Sequence, residues 1–189
     1  MSYSEIDVQN IKFNPFTDHN PGKSRATRDS ISFITPWMKI TSYPRTYVAM
    51  RDSSGNNIER VNVYTEVEEK EFQVFLEDLQ ERARAELRSQ NVDPNPENHW
   101  NDLLAHKKFL RVKLHVRPSK VLQLYAYREG DLEHFDIDLE KVSNYFYTGV
   151  KVRYLIEIRP VLHKNGRSGI TLKVVEVEFQ KRTQSKLTT

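Results

Sequence analysis

The chain has 189 residues, 38% of them hydrophobic and 11% aromatic, and carries 29 Lys and Arg against 26 Asp and Glu for a formal net charge of +3. This length suits one domain, or one domain with a substantial insertion, and is long enough to bury a core. With no cysteine, disulfides, thiolate catalysis and cysteine zinc sites are excluded, and no apolar run approaches the roughly 20 residues needed to cross a bilayer.

The first thirty residues hold many turn formers and little periodicity, so residues 1–30 are expected to be a flexible arm with Lys23, Arg25 and Arg28 near its end. The opening MSYSEIDVQNIKF has neither the basic start nor the apolar stretch of a secretory signal, which leads us to expect an intracellular location. Ile31 to Ile40, Tyr47 to Arg51 and Ile58 to Thr65 are short β-forming runs, and Ser53 to Asn57 separates the last two like a hairpin loop. Pro36 and Pro44 argue for bulges or edge positions there. From Glu66 the period changes: Phe72, Phe75, Leu76, Leu79, Ala83 and Leu87 repeat at three- and four-residue spacing, predicting an amphipathic helix. Glu66 to Gln90 holds eight acids against four bases, so the remainder of the chain is distinctly basic. Pro94 and Pro96 end that helix, and a short one is expected over Glu97 to His106.

Phe109 to Arg128 carries the most information. Leu110, Val112, Leu114 and Val116 alternate with Arg111, Lys113, His115 and Arg117, and the run from Val121 repeats the alternation. A hairpin across Pro118-Ser119-Lys120 would set Lys113 opposite Tyr125, Arg111 opposite Tyr127 and His115 opposite Gln123. Asp138 is expected to cap a third helix in which Leu139, Val142 and Phe146 share a face. Val150 to Pro160 alternates cleanly, and after the turn at 165–169 the apolar phase shifts at Val174-Val175, which predicts a bulge. The tail 182–189 is polar.

Three strands, a helical insertion over about 66–106, a two-stranded hairpin, a helix and a terminal hairpin make a mainly β (α+β) order. Such an order fits an OB-like antiparallel β-barrel with an inserted amphipathic helix and a C-terminal β-hairpin, in a single domain over 31–181. A β-sandwich with an inserted helix would read nearly the same.

The mixed cation and aromatic face has the chemistry of a single-stranded nucleic-acid groove. Cations neutralise phosphates and release counterions, and unpaired bases stack on aromatic rings. Arg111, Lys113, Arg117, Lys151 and Arg153 are the candidate phosphate contacts, Tyr125, Tyr127 and Trp37 the candidate stacking residues, and His115 and Gln123 their neighbours on the same face. The alternative is the solvated face of an ordinary hairpin, and for Trp37 a place in the core. His99, Asp102 and His106 at i, i+3 and i+7 could share a helical face, but nothing completes a metal site, and a helix capping the sheet explains them. Asp136 and Asp138 form a D-x-D pair of the kind that holds magnesium, with capping as the simpler reading of Asp138. No phosphate-binding glycine loop or nucleophile elbow is present. The acidic helix is a solvated face, a docking site for a partner protein or a competitor for the cationic groove.

The segment GVKVRYLIEIRPVLHKNGRSGITLKVVEVEF, Gly149 to Phe179, resembles the closing region of single-stranded DNA-binding proteins of large eukaryotic DNA viruses. There a G-x-K-x-R strand leads through a Gly-containing turn into a strand of the pattern G-I-x-x-K-[LV]-V-x-[VI]-x-[VF]. The matching residues are Gly149, Lys151 and Arg153, then Gly169, Ile170, Lys173, Val174, Val175 and Val177. The resemblance implies sequence-tolerant coating of single strands by an OB-like fold, in replication, recombination or repair. An acidic C-terminal tail, common among such proteins, is absent, since TQSKLTT is neutral to basic. The expectation is a non-enzymatic protein with no cofactor, with single-stranded DNA as partner, RNA as the alternative polymer, and a protein partner on helix 66–90 or a second copy of the chain as further candidates. The competing readings are a viral structural or assembly protein built on a β-sandwich, and a small metal-dependent nuclease or nucleotidyltransferase using Asp136 and Asp138.

Overall fold

Pro36 interrupts the first β-forming run, and two short strands result, β1 (Ser32–Ile34) and β2 (Met38–Ile40). The computed structural model describes residues 1–13, 31–51, 55, 57–116, 121–128, 131–164 and 167–180; the side chains at 47–51, 57–59, 115, 121–136 and 159–164 lie outside that description. The other strands are β3 (Arg45–Arg51), β4 (Asn57–Glu66), β5 (Leu104–Ala105), β6 (Phe109–His115), β7 (Val121–Arg128), β8 (Asp131–Asp138), β9 (Lys151–Lys164) and β10 (Arg167–Phe179). Helix α1 spans Lys70–Ser89 and the single turn α2 spans Val142–Tyr145. Both β1 and β2 pair antiparallel with β9, and Thr35 carries the ladder across the break between them. Its N–H donates to the Tyr154 carbonyl at 2.9 Å and its hydroxyl accepts from the Tyr154 N–H at 2.9 Å. A buried polar residue is satisfied in this way at a point where proline forbids a continuous strand.

Five strands close into a ring. β2 pairs with β4, β4 with β6, β10 with β9 and β9 with β2, all antiparallel, while β6 and β10 run parallel where Lys113 meets Lys173. Numbered along the chain, the barrel strands β2, β4, β6, β9 and β10 stand in the spatial order 1-2-3-5-4 and return to 1. This is an OB-like closed five-stranded β-barrel, mainly β with some helix. Val61, Val63, Leu110, Val112, Val152, Tyr154, Ile156 and Val177 are fully buried inside it, as the period of two requires. The bulge expected at Val174-Val175 is present as a register shift between Val174 and Glu176.

The hairpin expected from Phe109 to Arg128 does not form. Its two halves do not pair with each other: both meet the edge of β10 that faces away from β9, β6 at Lys173 and β7 at Glu176–Glu178, while β6 also pairs with β4 and β7 with β8. Alternation fixes which face a residue takes, but it leaves the neighbouring strand unspecified. β6 is accordingly the third barrel strand, β7 and β8 are an insertion after it, and β9 and β10 are the fourth and fifth.

Helix α1 buries the expected stripe, Phe72, Phe75, Leu76, Leu79, Ala83 and Leu87. Phe75 meets Phe33 edge-on with ring centroids 5.1 Å apart, and Tyr3 lies 4.8 Å from Phe72. The helix stops before the prolines, at Asn91, which takes a left-handed φ of 53° while the Val92 N–H reaches back to the Leu87 carbonyl at 3.0 Å. Of the expected mobile arm, residues 1–13 are packed instead: Tyr3, Val8, Ile11 and Phe13 are buried. The Tyr3 hydroxyl donates to Glu69, and burial together with that carboxylate pushes the phenol up to about 12. Residues 14–30 and the tail 182–189 lie outside the described residues.

Two other expectations are corrected. The stretch expected as a helix over Glu97 to His106 is a 3-10 turn at Pro96–His99, then β5 and a left-handed turn at His106 and Lys107. Hence His99, Asp102 and His106 share no helical face. Asp138 stands at the cap position of a 3-10 turn, Leu139–Lys141, but makes no side-chain cap bond; its carboxylate pairs with Lys141 at 2.9 Å. Two glycines of the C-terminal pattern stand where a side chain is strained or tightly fitted. Gly149 enters β9 with a φ of +94°, and a Cβ on Gly169 would stand 3.2 Å from Asn101.

The aromatic cluster under α1 joins the N-terminal turns, the helix and β1. Phe72→Ala is expected to cost about 3–5 kcal/mol, read as a lower denaturant midpoint with the unfolding slope unchanged.

Candidate nucleic-acid interface

On β4, Val61, Val63 and Thr65 point into the barrel and leave Asn62 and Tyr64 half-buried on its outside. On β6, Leu110, Val112 and Leu114 are buried and Arg111 and Lys113 are half-buried on the outside. The register sets Tyr64 beside Arg111, Asn62 beside Lys113 and Arg60 beside His115. Across β6, Lys113 adjoins Lys173 of β10. The outer face of the second, third and fifth barrel strands therefore brings together a tyrosine, an amide and several cations. In OB-type barrels the face of strands two and three is a platform for oligonucleotides.

The electrostatics of this face are unfavourable by themselves. The Lys113 ammonium is held below its usual pKa, first by burial and then by the positive charges of Arg111 and Arg60. Among the described residues no carboxylate pairs with Arg111 or Lys113. Arg111 donates to the Asn101 side-chain carbonyl at 3.3 Å, a neutral acceptor. Lys173 lies 3.7 Å from Glu157, and the Asn62 side-chain oxygen is buried without a hydrogen-bond partner among the described residues. A small recess opens beside Lys113 and Arg111, edged by Asn101, Asp102 and Thr171.

Helix α1 supports this face from behind. The Gln80 side-chain oxygen accepts from Trp100 Nε1 at 2.9 Å and from the Leu103 N–H at 2.8 Å. The Asn101 N–H donates to the Ser168 carbonyl at 2.8 Å, and the Ser168 hydroxyl donates to buried Asp93 at 2.9 Å. The segment that presents Asn101 to Arg111 is thus tied to both helix and barrel. Acids of α1 are engaged along the helix itself, as in Arg82–Glu86 and Arg88–Glu81.

The sequence-predicted residues fall into three places. Arg111 and Lys113 lie on the face just described, and His115 continues their strand. Arg117 lies outside the described residues. Gln123, Tyr125 and Tyr127 are on β7, opposite Asp136, His134 and Leu132 of β8; on the other side Tyr125 and Tyr127 face Glu176 and Glu178 of β10. The register puts no tyrosine of β7 beside Arg111 or Lys113. Lys151, exposed, pairs in register with Lys39. Arg153 makes a 2.5 Å ion pair with Glu178 and lies 4.9 Å from the centre of the half-buried Trp37 ring. The Asp136 side chain is not described, and among the described residues no group of three or more His, Asp or Glu could hold a metal ion.

Arg60, Asn62, Tyr64 and Lys173 were not foreseen. Asn62 and Tyr64 alternate with Val61, Val63 and Thr65 as Arg111 and Lys113 do with their neighbours, so the same pattern marked them once β4 and β6 were taken as partners. Among the described residues no helix is long and apolar enough to cross a membrane.

No family model matches the chain, and no curated protein matches it. Among solved structures it is similar to the single-stranded DNA-binding protein from bacteriophage Enc34 in complex with ssDNA, at 11% identity over 90% of this chain and 96% of that one, with a TM-score of 0.43. A C-terminal truncation of the phage protein aligns at 8% identity over 90% of this chain and 94% of that one, with a TM-score of 0.41. Another structure of the phage protein aligns at 10% identity over 93% and 96%, with a TM-score of 0.38.

Proposed function

We propose that this chain is a sequence-tolerant, non-catalytic single-stranded DNA-binding protein that acts inside the cell in replication, recombination or repair. The observation that carries the reading is Lys113, a desolvated ammonium held among other cations on the outer face of β4 and β6. A polyanion laid across that face would relieve the repulsion and release its own counterions. Tyr64, beside Arg111, supplies a ring on which an unpaired base stacks. Stacking of this kind needs free base faces, which a duplex withholds. The recess beside Asn101 offers polar contact without a fixed base preference. Lys39 with Lys151, and Trp37 against Arg153, extend the proposed track around the barrel, and β7, which carries Tyr125 and Tyr127, continues it along the edge of β10 that β6 also meets.

Two substitutions separate a binding role from a structural one. Lys113→Met keeps the aliphatic stem while removing a charge that folding disfavours. The free protein is expected to melt at the same temperature or higher, while affinity for a dT oligonucleotide falls and the slope of log K against log salt drops by about 0.7. A lower melting temperature with unchanged affinity would make Lys113 a structural residue. Tyr64→Ala is expected to weaken binding by about 1–3 kcal/mol with the salt slope unchanged, read by polarisation titration. Matched single-stranded DNA, single-stranded RNA and duplex in a mobility-shift assay complete the test, and binding duplex as tightly as single strands would contradict the stacking role.

A further inference from the structure

Two long edges of the sheet carry opposite charge. Among the described residues β3 pairs only with β4, and β8 pairs only with β7, so each leaves one row of backbone N–H and C=O groups without a strand partner. Free edges of seven and eight residues are templates for another strand. β3, RTYVAMR, has Arg45 and Arg51 and no acid, whereas β8, DLEHFDID, has Asp131, Glu133, Asp136 and Asp138. Like charges directly opposite one another weaken a strand pair and unlike charges strengthen it. Pairing β8 with a second β8 would align two acidic strands, and pairing β3 with a second β3 would align arginines. Only β8 against β3 joins opposite signs.

We propose that β8 of one copy adds to β3 of the next, head to tail, with a second copy of this chain as the partner. Asp138 is held by Lys141, so the substitutions that test the contact are placed on Glu133 and Asp136. Such a contact uses two different surfaces of each molecule, so every copy joined on one edge still offers the other, and the assembly grows as an open row unless its rotation closes a ring. The self-association stands on the two edges alone. On the function proposed above it would supply cooperative coating of a strand.

Charge exchange tests it by sedimentation velocity without nucleic acid. The wild-type chain is expected to form larger species as protein concentration rises, and to lose them at high salt. Glu133→Lys with Asp136→Lys, and separately Arg45→Glu with Arg51→Glu, are each expected to sediment as monomers. An equimolar mixture of the two is expected to reassemble, since each reversed edge then meets an unlike one. The neutral pairs, Glu133→Gln with Asp136→Asn and Arg45→Gln with Arg51→Gln, should weaken assembly with no recovery on mixing. A wild-type chain that stays monomeric, reversed variants that assemble as wild type does, or a mixture that stays monomeric would overturn the proposal. Every variant should still bind a dT oligomer of about ten nucleotides. Assembly by a wild-type chain that ignores the oligomer would instead remove the function and leave the interface standing.

Discussion

Placement of β10 between β6 and β9 is the contact on which the rest of the molecule depends. The antiparallel β9–β10 pair runs nearly the length of both strands, from Arg167 opposite Lys164 to Phe179 opposite Val152. The parallel join to β6 at Lys113 and Lys173 then turns an open sheet into a ring. Closure removes two strand edges and encloses an apolar interior that includes Tyr154, Ile156 and Val112. It also gives β6 and β7 successive places along one edge of β10 instead of a pairing with each other, so the cations of β6 take their strand neighbours from β4 and β10. The position of one strand thereby decides which side chains share the outer face.

That face runs against the interest of stability. Burial and two neighbouring guanidinium groups oppose the charge on Lys113, and Asn62 keeps a buried acceptor without a partner among the described residues. A fold selected for stability alone would place a carboxylate there, as it does at Arg82 and Glu86 on α1. Positive charge left unneutralised beside a tyrosine is a cost that a bound polyanion can offset. Other cations are matched, as when Arg153 sits between Glu178 and the Trp37 ring.

The sequence made face assignments legible and left neighbour assignments open. Helix α1, the bulge near Val174, the terminal hairpin and the break at Pro36 could all be read because each follows from local chemistry: 3.6-residue periodicity, a phase shift, a glycine turn, a missing N–H. Arg111 and Lys113 could be placed on an outer face for the same reason. Their aromatic neighbour could not, because period-two alternation is the same whichever strand lies alongside, and Tyr64 stands nearly fifty residues before Arg111. Tyr125 and Tyr127, nearer in sequence, fit that place equally well by alternation across the turn at Pro118-Ser119-Lys120. The docking of Tyr3, Val8, Ile11 and Phe13 was missed for a related reason: single apolar residues among turn formers have no period, and their burial depends on the surface that α1 and Phe33 present.

The central claim is that a single strand lies on the outer face of β4 and β6. Backbone amide chemical-shift mapping of the protein titrated with a dT oligonucleotide tests it most directly. The account predicts the largest changes at Asn62, Tyr64, Arg111 and Lys113, weakening outward along β10 and β2. Changes centred on β8 or on α1, with those four residues unmoved, would contradict it.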